Sequence, residues 1–185
     1  MKTFILLILS VLSLSGCVNM PVASYTPQDY SNNIKYDGSA NVGQFSYAAF
    51  EQGRVKSNQV ENTALGSLML EGDIAELAQR GTMLELERTG IKLGQSDYTI
   101  VGRIKEFKVD DLRFNAVWTY TINYKIMDAK TSAIILDKDY SADPKTRNKF
   151  SITLTHLIND VNEMIYSAYR KFISDHEVKR LLATP

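Results

Sequence analysis

A long alternation of apolar and polar residues between positions 114 and 126 most constrains the fold of this chain. Phe114 and every second residue after it, as far as Ile126, are apolar, and polar or β-branched residues stand between them. This period of two predicts one long strand with one apolar and one more polar face. Because the apolar face must be covered, helices are expected to pack over it. A lipid-binding groove is the other use of such a face, but we expect core.

Several neighbouring segments are predicted as strands. They are Ala40 to Phe50, Tyr98 to Val109 and Ala133 to Tyr140, the last following a turn over Asp128 to Ser132. The apolar phase of the second segment switches near Lys105-Glu106, which indicates a β-bulge. The short patch from Ala64 to Leu70 fits either a strand or the approach to a helix. The segments Ala142 to Lys149 and Glu177 to Leu182 are predicted as a loop and a tail.

Two amphipathic helices are predicted, over residues 73–89 and 151–174. Asp73 and Glu76 form a capping-box pattern at the start of the first helix. Gly81 lies inside that helix, where close packing against a sheet would explain a residue that costs about 1 kcal/mol relative to alanine. The expected fold is α+β, with an antiparallel sheet of about four strands and both helices packed on one face.

The N-terminus has the pattern of an export signal. Lys2 precedes a mostly apolar run from Phe4 to Leu14, which is shorter than the about 20 residues of a spanning helix. The run ends in Leu14-Ser15-Gly16-Cys17, which resembles a bacterial lipoprotein signal at every position. The resemblance implies cleavage between Gly16 and Cys17, a diacylglycerol (with palmitate-type chains) on the Cys17 sulfur and an acyl chain on the new amino group.

Three regions follow from this resemblance. They are a signal peptide over 1–16, a lipidated flexible tether over 17–39 and a single periplasmic domain over 40–185. Val18 stands where an aspartate would favour the inner membrane, so the resemblance implies the periplasmic face of the outer membrane. The tether contains Tyr25, Tyr30 and Tyr36. These tyrosines suit either a membrane interface or the surface of the domain itself, and we favour the domain surface.

Charge and composition exclude several functions. The chain has 21 basic and 21 acidic side chains and no basic run, which argues against nucleic acid as a partner. A Gly-x-Ser-x-Gly elbow, a Walker loop and a Gly-x-Gly-x-x-Gly motif are absent from the sequence. Cys17 is the only cysteine, and the resemblance commits it to lipid. We therefore expect no enzyme activity, no metal and no cofactor beyond the covalent lipid.

The remaining candidates for chemistry are weak. His156 and His176 lack cysteine or carboxylate company at metal-ligand spacing. Two carboxylate pairs and one basic loop could bind a cation, a phosphate or an acidic partner, although a solvated strand face, a turn and an exposed connection explain them as well. They are Asp137 with Asp139, Asp110 with Asp111, and Lys145 with Arg147 and Lys149.

From about Asn58 to Ile173 the order of elements resembles the small α+β lipoproteins of Gram-negative envelopes. These include the YajG-like group, the LptE group and the auxiliary lipoproteins of ABC-type lipid transporters. The resemblance implies a non-enzymatic docking or accessory component of envelope transport, assembly or maintenance. Such a component would bind an envelope protein through its sheet edge or a helix face. The alternative is an anchored carrier that holds a lipid or other amphiphile between sheet and helices.

Overall fold

The computed structural model describes residues 25–27, 36–62 and 68–183. Cys17, Tyr30 and the first part of the Ala64–Leu70 patch therefore lie outside the described residues. The elements in chain order are β1 (Ser39–Val42), β2 (Ser46–Tyr47), α1 (Ala48–Glu51), β3 (Gln59–Asn62), β4 (Leu68–Met69), α2 (Ile74–Arg88), β5 (Lys92–Leu93), β6 (Tyr98–Asp110), β7 (Asn115–Asp128), β8 (Ile134–Ser141), β9 (Lys145–Asn148), a 3-10 helix (Lys149–Ser151), α3 (Leu154–Ser174) and α4 (His176–Leu182).

The centre of the sheet is the long antiparallel hairpin of β6 and β7. Tyr98 pairs with Asp128 at one end, and Asp110 pairs with Val117 at the other. The register shifts between Ile104 and Glu106, which confirms the predicted bulge. On the far side of β7 lie β8 and β9, both antiparallel to it. The alternation in the sequence thus identified β7, the strand that pairs with β6 on one side and with β8 and β9 on the other.

The other side of β6 differs from the prediction. Three short strands, β1, β2 and β3, run parallel to β6 one after another, and β4 and β5 extend the sheet beyond β3 and β1. The expected antiparallel sheet of about four strands with two helices is wrong. The described residues form a nine-stranded mixed sheet with four helices, which is still α+β. Strands of two to four residues are too short for a period of two to show.

Three predicted segments contain elements of another type. The predicted strand Ala40–Phe50 is divided into β1, β2 and the short helix α1. The predicted loop Ala142–Lys149 contains β9, and the predicted tail contains α4. β9 consists of polar residues alone and therefore has no apolar period that would predict a strand. Its hydrogen bonds to β7 hold it in the sheet. A strand over this segment would place Phe45, Tyr47 and Ala49 on one face, and all three are buried although Ala49 lies in α1.

Both predicted helices are confirmed, but their caps differ from the prediction. Asp73 occupies the N-cap position of α2 without a side-chain cap hydrogen bond; its carboxylate accepts a hydrogen bond from the Ser57 hydroxyl instead. The predicted capping box at Asp73 is therefore wrong. A capping box is present on α3, where Thr153 and His156 exchange hydrogen bonds with each other's backbone N–H. None of the helices described is long and apolar enough to cross a membrane.

The helices cover the apolar face of β6 and β7 with an aromatic layer. The rings of Tyr124 and Phe172 stack with centroids 4.2 Å apart, and Phe45 meets Tyr124 edge-on at 5.9 Å. Phe45 can approach because Gly102 lies beneath it: a Cβ at that position would be 2.5 Å from the Phe45 ring. The same layer includes Tyr140, whose ring lies 5.5 Å from that of Phe172. The face that the alternation predicted as core is core.

Two tyrosines of the segment before β1 are buried on the domain. Tyr25 lies against Gly81 of α2, where a Cβ would be 2.9 Å from its ring, and its hydroxyl donates to Glu85. Gly81 thus makes room for this tyrosine and not, as expected, for the sheet. The Tyr36 hydroxyl donates to the Ile173 carbonyl over 2.7 Å. Contact with the domain's own surface is confirmed for Tyr25 and Tyr36.

Candidate docking surfaces

The two histidines lie at helix N-termini. The Nδ1 atom of His156 lies 3.4 Å from the backbone nitrogen of Thr153 and 3.1 Å from the Ser151 carbonyl oxygen, so it helps to cap α3. His176 is the exposed first residue of α4. In the described ranges there is no group of three or more His, Cys, Asp or Glu side chains that could hold a metal ion.

Asp137 and Asp139 form an ion-paired ladder on the solvent face of the sheet. The Asn123 amide donates to both carboxylates over 2.8 Å. Lys125 lies 3.2 Å from Asp137, and Lys105 lies 2.7 Å from Asp139. These hydrogen bonds lower the pKa of both carboxyl groups. Since a general acid needs a proton to give at neutral pH, two stabilised carboxylates fit a structural role.

The other acidic pair closes the turn between β6 and β7. The Asp110 side chain accepts a 3.2 Å hydrogen bond from the Leu112 backbone N–H. Asp111 is fully buried, and its carbonyl oxygen accepts a hydrogen bond from the Lys149 ammonium group. The contacts hold the turn between the two long strands, and they draw the 3-10 helix up against it.

The predicted basic loop is bound by acidic groups of the same chain. Arg147 Nε lies 2.5 Å from Oδ2 of the fully buried Asp160, and Lys145 Nζ lies 2.9 Å from Oδ1. Lys145 also pairs with Glu163. The basic side chains therefore fasten β9 to α3, and the interpretation as an exposed connection is wrong. Since internal carboxylates neutralise two of its cations, the segment is poorly suited to bind phosphate.

The outer edge of β8 offers hydrogen-bonding groups to a partner. Among the residues that the structure describes, β8 pairs with β7 alone. Ala142 N–H donates to the Tyr120 carbonyl, so the alternation of an antiparallel ladder points the main-chain groups of Asp137, Asp139 and Ser141 away from β7. Ile134 and Ile135, at the start of the strand, are 54% and 43% exposed. We call this surface the β8 edge.

A second exposed apolar surface lies at the opposite end of β7. Phe114 is 76% exposed and Phe150 is 83% exposed. The Lys149 N–H donates to the Phe114 carbonyl over 2.9 Å, which brings the 3-10 helix beside the β6–β7 turn. Leu112 and Leu154, 68% and 41% exposed, stand on the same turn and at the start of α3. We call these four residues the aromatic tip.

The cavities in the described region differ in size and in lining. An open cleft of about 540 Å³ runs along the aromatic tip between Asp110 and Val117. A cavity of about 60 Å³ lies beneath Trp118, lined by Ile152 and Leu157 among others. The space between the sheet and α3, by contrast, is filled by the stacked rings of Tyr124 and Phe172. The space predicted for an amphiphile is thus filled beneath α3. Beside α2 an open cleft of about 280 Å³ remains, lined by Phe45, Tyr47 and Phe50 among others.

The sequence analysis expected docking through a sheet edge or a helix face without saying which, and it did not point to the aromatic tip. Phe114 was assigned to the buried face because it continues the alternation, although β7 begins one residue later. A period of two would place Ile134 on the face of Leu136, but the register shifts between Ile126 and Met127, and Ile134 is exposed. Both exceptions lie at strand ends, where periodicity says least about burial.

Comparisons with known proteins identify the fold. No family model matches the sequence, and no curated protein does. Protein XCC0632 of Xanthomonas campestris, of the DUF330 family, has a similar solved structure, with a TM-score of 0.59 and 11% identity over 85% of this chain and 90% of that one. The hypothetical protein CT253 of Chlamydia trachomatis matches with a TM-score of 0.53 and 10% identity over 78% of this chain and 97% of that one.

A minor lipoprotein of Acinetobacter baumannii matches more distantly, with a TM-score of 0.45 and 10% identity over 80% of this chain and 98% of that one. A specific resemblance to the YajG-like or LptE groups is not supported. At these identities, what the chain shares with XCC0632 and CT253 is the fold.

Proposed function

We propose that this chain is a lipid-anchored protein of the periplasmic face of the outer membrane that serves as a non-enzymatic docking component of an envelope transport, assembly or maintenance system. The observation that carries the proposal is the β8 edge, eight residues long and paired on one side within the described chain. Such an edge binds an extended segment of a partner through main-chain hydrogen bonds. Cys17 would supply the anchor.

The chemistry of the β8 edge defines the partner. Ile134 and Ile135 offer apolar contact area at one end of the strand. Asp137 and Asp139 lie further along, both exposed and charged at neutral pH. Cross-strand pairs of opposite charge stabilise a sheet. Lys125 and Lys105 already make such pairs with Asp137 and Asp139. The expected occupant is therefore an extended segment of an envelope protein with apolar residues opposite the isoleucines.

The carrier alternative requires a cavity that the aromatic layer occupies. A ligand pocket for a molecule of drug size has a volume of about 300–1,000 Å³, whereas the rings of Tyr124 and Phe172 are in stacking contact where such a pocket was expected. An amphiphile would have to separate α3 from the sheet to enter. The stacked rings beneath α3 therefore favour docking over carriage, and the cleft beside α2, at about 280 Å³, lies just below that range.

Photocrosslinking in cells tests the docking proposal. A photoreactive amino acid at Ile135 should crosslink to one envelope protein, and the same group at Met83, an exposed residue of α2, should not. The double variant Ile134→Lys/Ile135→Lys should lose that protein in a mild-detergent pull-down, while Met83→Lys should retain it. Equal retention by both variants would contradict the proposal. Bound lipid beyond the anchor, lost when Trp118 or Tyr120 is altered in a folded protein, would favour the carrier.

A further inference from the structure

A small cavity lies between the sheet and the start of α3. Its volume is about 60 Å³, and Val109 of β6 and Ala116 and Trp118 of β7 line it from the sheet. Ile152, just before α3, and Leu157, in the first turn of that helix, also line it. Because aliphatic and aromatic side chains make up most of this lining, the cavity suits an apolar group.

The cavity is small, and part of its lining is accessible to solvent. One water molecule needs about 10–15 Å³ of such space, so a volume of about 60 Å³ accommodates about four atoms of that size. Leu68, Ile152 and Leu157 are half-buried, whereas Val109 and Trp118 are buried. The half-buried side chains therefore form a rim through which a small molecule can enter, and the buried ones form the floor.

The floor of the cavity includes a hydrogen-bond donor that lacks an acceptor. Trp118 is fully buried, and its indole N–H has no hydrogen-bond partner in the part of the chain that the structure describes. The polar residues of the lining, Asn62 and Asp111, have interactions of their own. A buried donor without an acceptor is costly and rare in folded proteins. An acceptor that enters the cavity with a ligand would satisfy it.

These features define the chemistry of the occupant. A buried water typically makes about three hydrogen bonds, whereas the indole N–H is the one unpaired buried group that the described lining offers. A wholly apolar molecule would leave that N–H unpaired, and a cation cannot accept from it. An anion would lie beside the buried side chain of Asp111. A short, neutral aliphatic molecule with one strong acceptor satisfies both the lining and the donor.

We propose that this cavity, which we call the Trp118 pocket, binds a small neutral aliphatic carbonyl compound of the amide or ester type. The alkyl chain lies among Ala116, Ile152 and Leu157, and the carbonyl oxygen accepts a hydrogen bond from the Trp118 indole N–H. Because so few atoms are buried, the expected affinity is about millimolar. The proposal depends neither on Cys17 nor on the β8 edge, so either proposal can fail without the other.

Nuclear magnetic resonance of the full-length chain in mild detergent tests the pocket. The chain contains one tryptophan, so a single indole N–H signal in a proton–nitrogen correlation spectrum reports on Trp118 directly. The probe is isobutyramide, which joins an isopropyl group to a carbonyl group. Titration should move the indole proton downfield along a saturating curve, because the N–H gains an acceptor.

Two further probes separate the contributions of the alkyl chain and the acceptor. Acetamide keeps the carbonyl group but buries two fewer carbon atoms, so it should need an at least about tenfold higher concentration. Xenon, which cannot accept a hydrogen bond in this way, should shift the methyl signals of Val109 and Ala116. At equal occupancy it should move the indole proton less than isobutyramide does.

Variants of the lining test where the probe binds. Leu157→Phe and Ala116→Leu place larger side chains in the pocket and should weaken isobutyramide binding at least about tenfold. Leu157 is half-buried, so its variant should fold even where the buried Ala116 position does not tolerate leucine. The matched control is Tyr120→Phe, which removes another unpaired buried polar group from the same strand but outside the pocket lining. It should bind isobutyramide like the natural chain, and near-ultraviolet circular dichroism verifies that each variant is folded.

Three results would overturn the proposal. The first is an indole proton that does not move when isobutyramide is present well above the expected dissociation constant. The second is equal affinity in the natural chain and in folded Leu157→Phe, which would place the probe elsewhere. The third is a nuclear Overhauser effect from water to the Trp118 N–H that persists at high isobutyramide concentration, which would assign the N–H to a structural water.

Discussion

The hydroxyl of Tyr25 donates a 2.7 Å hydrogen bond to Oε1 of Glu85, sixty residues further along the chain. Both side chains are buried. Burial, followed by the charge of Glu85, raises the pKa of the Tyr25 hydroxyl far above its ordinary value, so this hydroxyl remains a donor at any physiological pH. The bond fixes Tyr25, fourteen residues before β1, onto α2.

Removing the Tyr25 hydroxyl should weaken this attachment. Tyr25→Phe leaves the buried Glu85 carboxylate without the donor, which should cost about 1–3 kcal/mol of the free energy of unfolding. Urea denaturation measures the loss, and Tyr98→Phe, at a half-buried tyrosine at the start of β6, is the matched control. An equal loss in both variants would mean that the Tyr25–Glu85 bond adds nothing specific.

The contact between Tyr25 and Gly81 predicts a change of sign in a double-mutant cycle. In the natural chain, Gly81→Ala places a Cβ 2.9 Å from the Tyr25 ring, so the ring must move and the variant should be destabilised. In a Tyr25→Ala background the same substitution should stabilise the protein by about 1 kcal/mol, because alanine is the better helix former. Thermal unfolding of the four proteins measures both effects. Stabilisation in both backgrounds would show that the ring does not occupy this position.

The buried carboxylate of Asp160 should be costly to neutralise. Asp160→Asn leaves Arg147 and Lys145, which lie 2.5 and 2.9 Å from its oxygens, without their buried counter-charge. Breaking a buried pair in this way costs about 3–5 kcal/mol of the free energy of unfolding. Glu163→Gln removes the half-exposed partner of Lys145 and should cost less than about 1 kcal/mol. Similar losses in chemical denaturation would argue against a special role for Asp160.

The sequence specified the long elements of this fold and not the short ones. In β7 the alternation runs through a dozen residues, so the buried face from Ala116 to Ile126 could be predicted, and so could β6 and β8, two of its three partner strands. The apolar stripe that ends at Phe172 likewise predicted α3. A strand such as β2, with two residues, carries no period. Its position beside β6 follows from tertiary packing of Tyr47 and Phe45, which local sequence does not encode.

The candidate surfaces were harder to predict because each contains a residue, Phe114 or Ile134, that is exposed although the apolar alternation of its strand would bury it. Phe114 continues the pattern of β7 but projects beyond the strand. Phe150 lies between the predicted loop, Ala142 to Lys149, and the predicted helix over 151–174. The main-chain hydrogen bond from Lys149 to Phe114 brings its segment beside the β6–β7 turn. Exposed aromatic residues at element ends are a signal that could have found the tip, provided that the strand boundary were known.

The amide of Asn123 is shared by two carboxylates, and this arrangement predicts a pH-dependent effect on stability. The Asn123 hydrogen bond is the main cause of the lowered pKa of Asp137, whereas for Asp139 the hydrogen bond from Lys105 comes first and that from Asn123 second. Asn123→Ala should therefore raise the pKa of Asp137 more than that of Asp139. Lys105→Met should act mainly on Asp139. Carboxyl-carbon NMR titration measures both pKa values in each variant.

The sign of the effect on stability follows from the direction of these shifts. A carboxyl group whose folded pKa is lowered stabilises the protein above its unfolded pKa of about 3.9, and this contribution is lost as the pH falls through the folded value. The difference in unfolding free energy between the natural chain and Asn123→Ala should thus be constant above about pH 5 and shrink as the pH falls below about 4. Thr121→Ala, which removes a hydroxyl from the same face but bonds to Ser141, should show no such pH dependence. A difference that stays constant down to the acid transition would mean that Asn123 contributes through packing and not through the two carboxylates.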